Sequence, residues 1–249
     1  MAALSTRGLD KSFGSLVVAR DIALDLPAGA RYALIGPNGA GKTTLINLIT
    51  GMVRPETGRI LLDDDDITVL KPEQRVRRGL VRTFQINSLF PNLNALEAVT
   101  LAVCERSGCA GIWWKRLPAY AGAIEEAHGI LTSLGLADSC LRATRELAYG
   151  QQRLLEIALA LATRPKVLLL DEPAAGVPQG ESAALFAVIA GLPRNIAILF
   201  IEHDMEVVFR FAERIIVMVS GRILVEGTPA EIAADPRVRE VYLGGAMRG

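Results

Sequence analysis

Three continuous apolar runs, Arg31–Ile35 and residues 167–170 and 196–201, are each bounded by turn residues. Short apolar runs without alternation are what strands buried on both faces require. The first two lead straight into glycine- or proline-containing turns and then into helical patterns, the order of βα units. Residues 215–219, Ser220-Gly221 and residues 222–225 predict a hairpin, and residues 229–243 a short helix with an exposed tail. Between Phe90 and Thr163 the period changes. Leu93, Leu96, Val99 and Leu101, then Ile124, Ala127, Ile130, Leu131 and Leu134, recur at helical spacing, and no strong strand candidate interrupts them. The pattern predicts an α/β protein with a helical subdomain inserted into its core. Residues 107–118, with Trp113-Trp114-Lys115-Arg116, form the expected loop or weak helix inside it. The most apolar window, 183–201, is broken by Pro193-Arg194-Asn195. It predicts a helix, a turn and a buried strand rather than a membrane span, which needs about 20 mostly apolar residues.

Composition narrows the function classes. The chain has 249 residues, 51% of them hydrophobic, and 27 basic side chains balance 27 acidic ones. A chain of this length buries about 70–75% of its unfolded surface and needs no disulfide or metal staple. High apolar content without charge blocks excludes intrinsic disorder, and zero net charge argues against a protein that coats nucleic acid. Cys104, Cys109 and Cys140 are too few and too irregularly spaced for a disulfide framework or zinc site. The N-terminal residues lack the basic-then-apolar order of a signal peptide, so a cytoplasmic chain is expected. Asp63-Asp64-Asp65-Asp66 predicts a solvated turn after a strand rather than a cation site, because adjacent carboxylates repel.

The segment carrying chemistry is Gly36-Pro37-Asn38-Gly39-Ala40-Gly41-Lys42-Thr43-Thr44, which fits G-x-x-x-x-G-K-[ST] between an expected strand and the apolar helix start Leu45-Ile46. Glycines there let backbone N–H groups converge on phosphate oxygens, and the helix start adds the positive end of its dipole. Lys42 would reach the β- and γ-phosphates and the Thr43 hydroxyl would ligate Mg²⁺. The apolar run 167–170 ends in Asp171-Glu172. Asp171 can hold Mg²⁺ through water, and Glu172 can polarise an attacking water as general base.

These motifs make the chain resemble the nucleotide-binding subunit of an ABC transporter over nearly its whole length. The resemblance implies a phosphate-loop cassette: a RecA-like core at about 1–88 and 161–249, an antiparallel β subdomain, and a helical subdomain at about 89–160, all in one nucleotide-binding domain. It implies ATP and Mg²⁺ as ligands. Gln85 in Arg82-Thr83-Phe84-Gln85 matches the Q-loop glutamine that contacts Mg²⁺ and signals to the membrane subunits. Leu147-Ala148-Tyr149-Gly150-Gln151 lies where the signature sequence belongs, so Ala148, Gly150 and Gln151 would meet nucleotide held by an opposing cassette. His203 in Glu202-His203-Asp204 matches the switch histidine that contacts the γ-phosphate; a lone histidine after a strand is also compatible with a capped surface residue. Phe13 takes the place of the aromatic that stacks on adenine, or is simply core.

The chain departs from the family pattern twice. Ala148 and Tyr149 replace the serine and first glycine of Leu-Ser-Gly-Gly-Gln, so that contact must rest on Gly150 N–H groups and the helix dipole. The loop Pro173-Ala174-Ala175-Gly176-Val177-Pro178 lacks the usual D-loop aspartate. The signature with Gln152-Arg153, Asp171-Glu172-Pro173-Ala174-Ala175-Gly176, and Glu202-His203-Asp204-Met205 are similar to the LivG-type subunit of branched-chain amino acid importers. That likeness implies an ATPase on the inner face of the cell membrane, a second cassette, two permease subunits, an external substrate-binding protein and no nucleic acid. A groove near Gln85 would receive the permease, with Phe90, Leu93 and Trp113 as contacts or as core. The alternative is an ATP-binding regulatory or non-transport ABC ATPase with weak or no hydrolysis of its own.

Overall fold

The computed structural model describes residues 2–83, 89–108 and 120–244. The chain opens with an antiparallel hairpin, β1 (Ala2–Phe13) and β2 (Leu16–Pro27). β2 alternates buried Ile22, Leu24 and Leu26 with exposed Ala23, Asp25 and Pro27, as a half-covered strand must. β4 (Thr57–Leu62) and the two-residue β5 (Asp65–Asp66) complete this sheet in the order β2-β1-β4-β5. Asp63 and Asp64 form the tight turn between them, both at positive φ, and all four aspartates are exposed. Asp66 accepts the Thr68 N–H at 2.9 Å and Asp63 accepts from Lys166.

The second sheet has the order β10-β9-β3-β8-β7-β6. It comprises β3 (Arg31–Ile35), β6 (Leu80–Arg82), β7 (Val167–Asp171), β8 (Ala197–Ile201), β9 (Arg214–Val219) and β10 (Arg222–Gly227). All pairings are parallel except β9 with β10, which form the expected hairpin. Strand periodicity divides this sheet between two cores. Ala33, Ile35, Leu168, Leu170, Ile198 and Phe200 point into one; Tyr32, Leu34, Val167, Leu169, Leu199 and Ile201 point into the other. Both faces are covered, which is why these strands appear in the sequence as unbroken apolar runs. The second core includes α1 (Lys42–Thr50) and the antiparallel sheet. Near their ends lies α2 (Pro72–Arg77).

The first core holds the helices α3 (Ala95–Arg106), α4 (Ala121–Ser133), α5 (Tyr149–Ala162), α6 (Gln179–Ala190) and α7 (Met205–Phe211). α3 packs against α4 and α5 through Val99, Val103, Ala127, Leu131 and Leu155. Asn94 caps α3 reciprocally with Glu97, at 2.8 and 2.9 Å. Phe186 of α6 meets Phe200 edge-on at 5.2 Å and Phe211 at 5.6 Å. The expected helix and exposed tail near the end are instead two helices, α8 (Pro229–Ala234) and α9 (Pro236–Gly244). Pro236 lacks an N–H and disfavours helical backbone at Asp235, so the pattern breaks there and restarts. No helix among the described residues is long and apolar enough to cross a membrane.

Candidate nucleotide site

Strand register sets the site. Leu34 pairs with Ile201, and Ile201 pairs with Asp171, so β3, β8 and β7 end level. The residues that follow emerge together at the carboxyl edge of the sheet, where open α/β sheets bind ligands. After β3 comes the glycine loop. A Cβ on Gly36 would stand 2.1 Å from the Met218 carbonyl oxygen, and one on Gly41 would stand 2.3 Å from that of Val18. The backbones of β9 and β2 thus press the loop into a form only glycine permits. Gly39 faces open space, and Asn38 and Thr43 are exposed, with Thr44 half-buried. The N-cap of α1 is Gly41, which has no side chain to cap the first N–H groups, and no acidic residue sits in the first turn. Those donors are left for an anion.

Lys42 is only 7% exposed, and its Nζ donates to the carbonyls of Gly36 (2.7 Å) and Pro37 (3.1 Å). Burial lowers its pKa, with the charges of Glu172 and Asp171 opposing. Asp171 is held by the Arg82 guanidinium, which also donates to Asn47 Oδ1 at 2.8 Å. Glu172 has left-handed backbone (φ 48°), and its carboxylate is hydrogen-bonded to His203 Nε2 at 2.6 Å. Behind them, buried Glu202 accepts the N–H groups of Ala174 (2.9 Å) and His203 (3.2 Å), and burial raises its pKa. Glu202 thus joins the loop after β7 to the loop after β8. Only its place beside His203 marked it in the sequence.

The fold brings Lys42, Asp171, Glu172 and His203 together. Phe13 lies half exposed at the tip of the β1–β2 hairpin, with Lys11 Nζ 5.4 Å from its ring centre; it is not core. Ala148, Gly150 and Gln151 occupy the start of α5. Gln151 Oε1 accepts the Ala148 N–H at 3.2 Å, a bond the serine-free signature retains. Tyr149 beside them donates to the Ala175 carbonyl at 3.0 Å. Gln85, Trp113 and Cys109 lie outside the described residues. Phe90 is exposed and Leu93 half-buried. A mostly apolar groove of about 230 Å³ lies between the α2–β6 region and α5, lined by Met52, Val76, Val81, Leu89, Glu156 and Leu159.

A cradle of N–H donors around a buried lysine, facing a carboxylate pair across the strand β8, suits a nucleotide polyphosphate. That makes the chain a phosphate-loop nucleotide-binding α/β protein. The ABC transporter model matches residues 19–175, and the chain belongs to that family as an ATP-binding, ATP-hydrolysing transporter subunit. A further model, for branched-chain amino acid ATP-binding cassette transporters, matches residues 222–247. The chain is 39% identical to the high-affinity branched-chain amino acid transport ATP-binding protein BraF of Pseudomonas aeruginosa and 40% identical to LivG of Escherichia coli K12. Each alignment covers 98% of both chains. Among solved structures, an ABC transporter cassette in its ADP conformation superposes with a TM-score of 0.86. It is 33% identical and covers 98% of this chain and 99% of that one.

Proposed function

We propose that this chain powers import of branched-chain or related amino acids. It would sit on the inner face of the cell membrane with a second cassette, two permease subunits and an external substrate-binding protein. Its likeness to BraF and LivG over 98% of both chains supports the substrate class. ATP lies with adenine on Phe13 and phosphates in the cradle of Gly36, Asn38, Gly39, Gly41, Lys42, Thr43 and Thr44. Lys42, now bonded to loop carbonyls, turns to the β- and γ-phosphates. Thr43, Asp171 and Gln85 are the residues that would hold Mg²⁺, whose charge would stabilise the phosphate oxygens. The exposed hydroxyl and the carboxylate already facing a cation are a donor set suited to such a hard ion.

Glu172 orients a water and takes its proton as the water oxygen bonds the γ-phosphorus and the bond to the ADP oxygen breaks. General-base assistance of this kind contributes about 10²–10⁴ in rate. His203 steadies the carboxylate and then meets the γ-phosphate. Ala148, Gly150 and Gln151 close the site of the opposing cassette, and residues 89–160 move with them as a helical subdomain. The apolar groove beside Glu156 receives the permease. The single observation that carries this reading is the convergence of Lys42, Asp171, Glu172 and His203 at one sheet edge. The test is uptake of radiolabelled leucine by membrane vesicles containing the chain with its permeases and binding protein. ATP-dependent uptake lost in Lys42→Ala is expected; ATP hydrolysis without uptake of any amino acid would overturn the import reading.

A further inference from the structure

Glu172 keeps a left-handed backbone that a non-glycine residue holds only where its surroundings fix it. Its N–H donates to the Ile201 carbonyl at 3.1 Å, and its carbonyl accepts the Ala175 N–H at 3.0 Å. The turn that follows, Pro173-Ala174-Ala175-Gly176, has no polar side chain with which to anchor itself. Its anchors come from outside. Glu202 grips the Ala174 N–H on one side. On the other, the Ala175 carbonyl accepts from Tyr149 Oη at 3.0 Å and from Arg153 Nη2 at 3.2 Å. Arg153 Nη2 also donates to Tyr149 Oη at 3.3 Å, and the guanidinium lies 5.4 Å from the centre of the phenol ring. A Cβ on Gly176, at φ 80°, would stand 2.7 Å from that same Oη. The glycine and the tyrosine are therefore matched.

Spacing on α5 explains the arrangement. Residues 149 and 153 share a helix face, and 156 lies one turn further along it. Arg153 Nη1 pairs with Glu156 Oε2 at 3.0 Å, and both side chains are 8% exposed. Glu156 Oε1 has no partner among the described residues, and Glu156 lines the apolar groove. We propose that Tyr149 and Arg153 are positioning residues for Glu172, holding the 173–176 turn from outside, and that Glu156 ties this bracket to the groove. A shift of α5 moves the base, because the same helix that carries Ala148 and Gly150 holds the turn behind Glu172. This rests on Glu172 acting as general base in ATP hydrolysis.

The test compares the full chain with Tyr149→Phe, which keeps the ring and removes the hydroxyl. Two quantities are read: hydrogen exchange across residues 172–177, and steady-state ATP hydrolysis. Faster exchange in that segment is expected, with kcat lower by roughly 10-fold and KM for ATP within about 2-fold, since a misplaced group costs rate without touching binding. Glu156→Gln, which keeps shape and loses charge, should lower kcat by a smaller factor with the same unchanged KM. Unaltered exchange in Tyr149→Phe overturns the bracket, and a raised KM at constant kcat overturns the positioning role. Hydrolysis by the unaltered chain that survives Glu172→Gln overturns the reading of Glu172 beneath it, while exchange still decides the bracket.

Discussion

Arg75 is the largest side chain in the fully buried set, at 1% exposure. Its guanidinium donates to the carbonyls of Leu48 (2.8 Å), Ile49 (2.6 Å), Thr68 (2.8 Å) and Leu70 (3.0 Å). It thereby satisfies the end of α1, whose start is the phosphate cradle, and burial lowers its pKa to about 10. Arg75→Met should cost about 3 kcal/mol in urea unfolding, because several buried carbonyls lose their donor; a loss under about 0.5 kcal/mol would contradict that role. Gly36→Ala should destabilise by at least about 2 kcal/mol, since the Met218 backbone cannot yield to a Cβ. Calorimetry checks this, an unchanged melting temperature being the contrary result. Legibility differs sharply between such residues. Lys42 was readable from its glycine-loop motif, Asp171 and Glu172 because they end an apolar run, and His203 only through the family resemblance. Arg75 looks like one more solvated charge among Arg75, Arg77 and Arg78. The bond from Tyr149 to a carbonyl 26 residues away leaves no local trace.

At the scale of elements, the parallel strands were legible because burial on both faces leaves them purely apolar. The hairpin of β1 and β2 was not read from local pattern; only the family resemblance implied an antiparallel subdomain. Register shifts near Gly8 and the left-handed Asp21 break the alternation of β1 and β2. The signal present was Ile22, Leu24 and Leu26 at period two. The helical layer is clasped at its ends: Glu126 of α4 bonds Arg106 of α3 at 2.8 and 2.7 Å and Arg164 after α5 at 3.1 Å. Those guanidinium bonds, with Arg106 contributing most, lower the Glu126 pKa to about 2. A carboxylate whose pKa falls on folding stabilises fully above its unfolded value, and the benefit is lost as pH falls through the folded one. Glu126→Gln should therefore cost about 1–2 kcal/mol at neutral pH, discounted for solvent screening. The difference should fade between about pH 4.5 and pH 2. Denaturant melts across that range read it; a pH-independent difference would contradict the charge-based account.

Across the whole molecule, the candidate catalytic residues and the candidate signature residues lie on different elements. Lys42, Asp171, Glu172 and His203 share one edge of the parallel sheet. Ala148, Gly150 and Gln151 head a helix fastened to the turn after Glu172. On the proposed function, two cassettes each complete the other's nucleotide site, and a ligand that binds the closed pair more tightly favours closure. Only the family resemblance made this legible in the sequence, because spacing alone does not say which residues meet in one copy and which meet across two. The most direct measurement is the ATP hydrolysis rate per molecule of the purified chain as its own concentration is raised, with Glu172→Gln alongside. A specific rate that climbs with concentration towards a plateau, and falls at least about 10²-fold in Glu172→Gln, is the predicted result. A specific rate independent of concentration, or one that Glu172→Gln leaves intact, would contradict the account.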